Sequence, residues 1–209
     1  MDNNFSRIIV HKLLGIKAIN FNFKEPFIWT SGWKSPIYCD NRMSLSDNSI
    51  RTLVKEAYVR IIKEKFPEVE LIAGVATGAI AQGALVADMM NLPFIYVREK
   101  RKEYGLMKII EGYFEKGQKT VILEDHISTG GSSIRALDEL RKESVNVLGM
   151  VAAFSYDFPE TKERFIEKNC NIQTISTFYT IVDVALEEGY ITKEEADALY
   201  QWHNNPKEY

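Results

Sequence analysis

The sequence predicts an α/β fold: a mostly parallel, open sheet with helices on both faces, plus a small N-terminal hood of helix and hairpin. Three observations predict it. From Leu71 onward, short apolar runs alternate with amphipathic stretches, the order of strands and crossover helices in a parallel sheet. One run, Thr120–Leu123, ends in the adjacent acids Glu124 and Asp125, then passes through a turn of hydroxyl and glycine residues into a helix. Residues 1–45 lack the alternation and stand outside the sheet.

Taken in order, Phe5–Ile19 is expected as a helix with Ile8, Ile9, Leu13 and Leu14 as its apolar stripe. Phe27–Asn41 reads as two short strands about a turn at Ser31–Gly32, where tryptophans usually serve packing. Ser46 is the expected N-cap of a long helix in which Ile50, Leu53, Val54, Ala57 and Ile61 keep helical spacing until Pro67. Leu71–Ala76 is a strand, Gly78–Met90 a helix of small residues, and Pro93–Val97 a strand after an Asn-Leu-Pro turn. Arg98–Gly112 fits neither strand nor helix. Its length marks it as a lid, and it carries Arg98, Lys100, Arg101, Lys102 and Lys108.

Thr120–Leu123 is then a buried strand, Ile134–Lys142 an amphipathic helix and Val145–Phe154 a further apolar strand. Pro159 suits the first turn of a helix reaching Lys168, and Ile172–Thr177 is the last strand. Thr192 to Glu195 has the form of a capping box for a final helix ending near Trp202. Met89, Met90, Phe178 and Tyr179 are expected in the core. With no repeat, linker or low-complexity segment, residues 1–209 are expected to form a single domain, with 1–45 as its hood.

Bulk properties remove several classes of function. A 45% hydrophobic content can support a full core, while a net charge of −3 without a basic run argues against a general nucleic-acid binder. Cys39 and Cys170 are too few for a disulfide framework or metal cluster, and His11, His126 and His203 are scattered. No stretch has the form of a signal peptide or is apolar enough to span a bilayer, so a cytoplasmic location is expected.

The chemistry concentrates at Thr120–Ser133. Gly130 and Gly131 permit a tight loop with N–H groups turned inward, and the following helix contributes its positive dipole end. Such a loop cradles a phosphate. The acids beside it repel an anion and instead suit the hydroxyls of a sugar, or a metal bridging to them. A second glycine loop, Gly74-Val75-Ala76-Thr77-Gly78, and the cationic lid suit a sugar with phosphate at one end and diphosphate at the other. No nucleotide-hydrolase P-loop, dinucleotide fingerprint, nucleophile elbow or metal-ligand cluster occurs.

The segment Glu124 to Ser132, Glu-Asp-His-Ile-Ser-Thr-Gly-Gly-Ser, resembles the phosphoribosyl-diphosphate (PRPP) motif of type I phosphoribosyltransferases. The hairpin Thr-Ser-Gly-Trp-Lys-Ser-Pro-Ile-Tyr-Cys-Asp-Asn-Arg, ending at Arg42, and the lid resemble those of orotate phosphoribosyltransferases, nearly end to end along the chain. The resemblance implies transfer of ribose 5-phosphate from PRPP to orotate in pyrimidine synthesis. It implies Mg²⁺ bound with PRPP rather than by the protein directly, and a homodimer whose lid reaches the partner's site. It assigns catalysis to Lys102, Arg98 and Asp125. It assigns PRPP contacts to Arg98, Lys102, Tyr104, Glu124, Asp125, His126, Ile127, Ser128, Thr129, Gly130, Gly131 and Ser132, and the pyrophosphate loop to Ala76, Thr77 and Gly78. Ser128 also reaches orotate in family members, while Lys34 and Arg42 lie in the hairpin that faces the base.

Three positions depart from the family pattern. Tyr104 stands where lids usually carry histidine, Gly105-Leu106-Met107 replaces a Gly-x-Gly, and Thr30 stands where some members carry lysine. Two rival readings follow: a phosphoribosyltransferase acting on a purine, and a PRPP-sensing regulator. The hairpin and lid argue against the first, and the lack of a basic appendage against the second.

Overall fold

The computed structural model describes residues 3–29, 32–100 and 108–209. Its centre is a six-stranded sheet, built from β5 (Leu71–Val75), β6 (Phe94–Val97), β7 (Ile110–Glu111), β8 (Lys119–Ile127), β9 (Asn146–Ser155) and β10 (Ile172–Thr177). The spatial order is β10-β9-β8-β5-β6-β7, with every pair parallel except the antiparallel edge β6–β7. β5 pairs with β6 on one side and β8 on the other, so the order of the chain reverses between β5 and β8. That is where an open α/β sheet leaves a crevice at its strand ends.

Period-two alternation divides the core in two. Leu71, Ala73, Val75 and Ile122 face a layer of α4 (Gly131–Lys142) and α5 (Pro159–Glu167). Ile72, Val121 and Leu123 face the larger layer of α1 (Asn3–Gly15), α2 (Asn48–Lys65), α3 (Gly78–Met90), α6 (Phe178–Glu187) and α7 (Lys193–Asn204). Both faces of the central strands are covered, which is why they read as unbroken apolar runs.

The N-terminal part contributes β1 (Ile19–Phe21) paired with β4 (Ile37–Cys39), and β2 (Phe27–Ile28) paired with β3 (Lys34–Ser35). Helix α1 packs into the larger core. Ile9, Val10, Leu13 and Leu14 enter the larger core, and Arg7 and His11 pair with Glu187 and Glu188 at the end of α6. Ile8 turns to solvent instead of joining the stripe, because Val10 takes the inward place. The hairpin is held from the far end of the chain, where Trp202 Nε1 donates to the Lys34 carbonyl at 2.9 Å.

Several elements differ from expectation. Asp47, not Ser46, caps α2, its carboxylate accepting from Ile50 N–H at 2.9 Å. Helix α6 follows β10 directly, because Thr177 caps it and Phe178, Ile181, Val182 and Ala185 form an inward face; the sequence reading had no helix here. Ile110–Glu111 is a strand rather than part of an unstructured connection. Met89 and Tyr179 are exposed, not core. The Thr192–Glu195 capping box and Pro159 in the first turn of α5 are as expected.

Leu123 is fully buried in the central strand. Leu123→Ala is expected to lower unfolding free energy by about 2–5 kcal/mol, read as a fall in the urea midpoint with unchanged slope.

Candidate active site

Strand β8 does not stop where its apolar run stops. It pairs with β9 as far as Ile127 opposite Ser155, so Glu124, Asp125 and His126 lie within a strand end, not in a turn. Buried donors fix their backbone: Tyr58 O–H donates to the Glu124 carbonyl at 2.6 Å and Asn41 Nδ2 to the Asp125 carbonyl at 2.9 Å. Both donors come from the segment before the sheet, which is thereby tied to the acids.

The acids have opposite environments. Glu124, 3% exposed, lies under the start of α4, where Ser133 Oγ donates to Oε2 at 2.7 Å and Asp125 N–H donates to Oε1 at 3.1 Å. Burial and the neighbouring Asp125 charge hold its carboxyl well above the ordinary carboxylate range. Asp125 goes the other way. Burial alone would raise it, but His126, whose Nδ1 is 3.2 Å from Oδ1, outweighs that and lowers it. The contact is an ion-pair distance with the ring N–H pointing off the line to the carboxylate. His126 is raised in turn: burial opposes its cation and the Asp125 carboxylate prevails.

Opposite these acids, β5 runs into the Ala76-Thr77-Gly78 turn that opens α3, with a cis Ala76–Thr77 peptide. A Cβ on Gly78 would come 2.0 Å from Asp125 Oδ2, so only glycine lets this turn meet the carboxylate. On the other side, Ser128 to Ser132 lead into α4. Gly130 has φ +75° and a Cβ on it would meet Phe165, whereas a Cβ on Gly131 would meet open space. The leading N–H groups of α4, which have no partners inside the helix, head this loop.

These parts enclose a cavity of about 630 Å³. Ala76, Thr77, Gly78, Glu124, Asp125, His126, Ser128, Thr129, Gly130, Gly131, Ser132 and Arg42 line it, as the sequence reading brought together. Arg42 is held in a fork by Asp40, with Nε–Oδ1 at 2.7 Å and Nη2–Oδ2 at 2.8 Å. Trp29 and Tyr156 form an aromatic wall, their ring centres 4.5 Å apart.

Residues 45–188 match the family model described as phosphoribosyl transferase domain. The chain is 48% identical over 203 residues to the orotate phosphoribosyltransferase of Bacteroides fragilis, covering 97% of this chain and 96% of that one. It is 50% identical over 200 residues to that of Phocaeicola vulgatus, covering 96% and 94%. The chain belongs to the orotate phosphoribosyltransferase family. The solved orotate phosphoribosyltransferase of Aeropyrum pernix shares the fold, with TM-score 0.75 at 23% identity over 88% of this chain and 99% of that one. Leishmania donovani UMP synthase shares it too, with TM-score 0.82 at 24% identity over 95% of this chain; the match spans 42% of that longer chain.

Not every family position falls on the cavity wall. The Ile127 side chain is buried in the core beside α4, because the strand's alternation turns it inward. Arg98 is paired with Glu111 across the β6–β7 edge at 3.3 Å, and it does not line the cavity. Lys34 is exposed and likewise off the wall. Lys102, Tyr104 and Thr30 lie outside the described residues. The sequence reading missed Tyr156, Cys39, Asp40, Ser133 and Arg135 on the wall. Tyr156 follows the end of β9, the strand beside β8, and strand-end position alone could have found it. Cys39 is buried in the larger core, and burial pushes its thiol far up.

Gly78→Ala is expected to displace the Asp125 carboxylate and cut turnover by about a hundredfold or more, with the urea midpoint falling far less; steady-state rates and denaturation together check this. The Asp125–His126 pair also sets a pH window. Lowered Asp125 contributes stability above its unfolded value near 3.8, lost as pH falls through its folded value; raised His126 contributes below 6.5, lost as pH rises through its folded value. His126→Gln is therefore expected to flatten the decline of thermal midpoint on the alkaline side of 6.5.

Proposed function

We propose that the chain transfers ribose 5-phosphate from PRPP to N1 of orotate, forming orotidine 5′-monophosphate and pyrophosphate for pyrimidine synthesis. The observation that carries this reading is that the Ala76–Gly78 turn, the Ser128–Ser132 loop and the Asp125 carboxylate line a single cavity. In this reading Ser128 to Ser132 hold the 5-phosphate through N–H and hydroxyl donors, with the dipole end of α4 behind them. Ala76 to Gly78 hold the diphosphate. Asp125 faces the ribose hydroxyls and stabilises positive charge as the glycosidic bond lengthens. Glu124, with both oxygens already hydrogen-bonded, sets the backbone and ribose side of that pocket. Ser128, Arg42 and the Trp29–Tyr156 wall face the acceptor base.

Arg98 and Lys102 act on the departing diphosphate. Arg98 follows Val97, whose carbonyl accepts from Ala76 N–H at 2.8 Å, so its backbone starts beside the diphosphate loop. Reaching the anion means exchanging Glu111 for it. Preorganised donors of this kind are each worth about 2.7–4 kcal/mol in a transition state, and lid closure excludes the water that would hydrolyse PRPP.

The donor set fits Mg²⁺, which takes oxygen ligands and is commonly bound by one or two carboxylates together with substrate phosphates. Asp125, with Glu124 beside it, suits an ion that arrives on PRPP, and no group of three or more potential ligands stands ready among the described residues. The ion would neutralise charge on the diphosphate. We further read residues 1–209 as one catalytic domain with 1–45 as its hood, working as a cytoplasmic homodimer that shares its lid across subunits. No described helix is long and apolar enough to cross a membrane.

Purified chain with PRPP, Mg²⁺ and orotate is expected to consume orotate absorbance, while adenine and hypoxanthine leave PRPP unused. PRPP binding without turnover would favour the regulator, and purine turnover the other transferase. Lys102→Ala is expected to lower kcat far more than PRPP affinity, and equal losses would reduce Lys102 to ground-state binding.

A further inference from the structure

Helix α5 meets the phosphate loop at three successive residues, from the side away from the cavity. Thr161 Oγ1 donates to the Ser128 carbonyl at 2.9 Å, and Arg164 Nη1 donates to the Thr129 carbonyl at 2.6 Å. At Gly130, a Cβ would come 2.9 Å from Phe165 Cε2 and 3.1 Å from Thr161 Cγ2. None of these three α5 side chains lines the site cavity; Thr161 and Arg164 border a separate cavity of about 500 Å³ behind the loop.

In a trans peptide the carbonyl and the following N–H point in opposite directions. The Ser128 carbonyl shares a peptide with Thr129 N–H, and the Thr129 carbonyl shares one with Gly130 N–H. Drawing both carbonyls outward to α5 therefore turns the Thr129 and Gly130 N–H groups inward. Helix α5 is itself clamped to α4: Lys168 Nζ pairs with Asp138 at 2.8 Å, and Arg141 Nη1 donates to the Lys168 carbonyl at 2.5 Å. The loop thus hangs between two helices fixed to one another.

We propose that Thr161 and Arg164 are positioning residues for the 5-phosphate: by holding the Ser128 and Thr129 carbonyls outward, they preset the loop's N–H donors toward the anion. The inference rests on reading that loop as the 5-phosphate cradle. It adds residues from another helix, far along the chain from the motif, that touch no substrate. Thr161 is buried and Arg164 exposed, so the two can be removed with different consequences for packing.

The test uses ribose 5-phosphate and inorganic pyrophosphate as separate probes, titrated calorimetrically into the full chain. Wild-type binding of ribose 5-phosphate tests the cradle itself, and its failure would overturn that assignment. Given binding, Thr161→Val and Arg164→Ala are each expected to weaken ribose 5-phosphate about tenfold, the scale of one lost hydrogen bond, with pyrophosphate changed less than about twofold. Thr161→Ser restores the hydroxyl and is expected to restore affinity. In steady state KM for PRPP rises more than kcat falls. Equal weakening of both probes, or unchanged ribose 5-phosphate affinity in folded Arg164→Ala, would overturn the positioning role.

Discussion

The site depends on one pairing, the parallel ladder between β5 and β8 that sets Gly74 opposite Leu123. Because these strands neighbour each other while their crossovers leave in opposite directions, the turns that follow them face across a gap. The turn after β5 supplies Ala76 to Gly78, while the end of β8 supplies the acids and leads into the Ser128–Ser132 loop. The strands also differ in length beyond their last paired residues, so β8 carries Glu124 and Asp125 out alongside the Gly78 turn. The missing side chain at Gly78 is what allows the closest approach. A slip in this ladder would leave both loops intact and useless.

The electrostatics follow from that geometry. Two adjacent carboxyls cannot both be charged in a closed crevice without a cation. The structure separates them by environment, burying one beneath Ser133 and turning the other toward His126. Between the Ala76–Gly78 turn and the Ser128–Ser132 loop, Asp125 is thus the more readily ionised of the two adjacent acids.

Much of this could be read from the chain. The strands at Leu71 and Ile172, the glycine loops and the acids are local signals, set by composition over a few residues, and they fell within a residue or so of their true bounds. What escaped depends on contacts far apart in sequence. Helix α6 begins the moment β10 ends, with no turn residues to announce it. β7 is two residues long and exists because β6 offers it an edge. Ile127 sits inside a binding motif, yet the pleat turns it inward. Tyr156 and the α5 brace carry no motif; only the adjacency of β9 to β8, and of α5 to the loop, makes them relevant. Arg98 is the reverse case, a motif position whose partner here is Glu111.

The bond from Trp202 to the Lys34 carbonyl joins the N-terminal hairpin to α7. Trp202 also packs edge-on to Trp29, its ring centre 5.8 Å away. During synthesis the hairpin leaves the ribosome well before α7. The Trp29–Tyr156 wall, which Phe154 and Phe158 also back, therefore lacks the Trp202 ring until α7 has emerged and docked. A nascent chain can form its sheet and both glycine loops before this contact to the hairpin exists. Docking of α7 thus adds the Trp202 ring to the hairpin's packing.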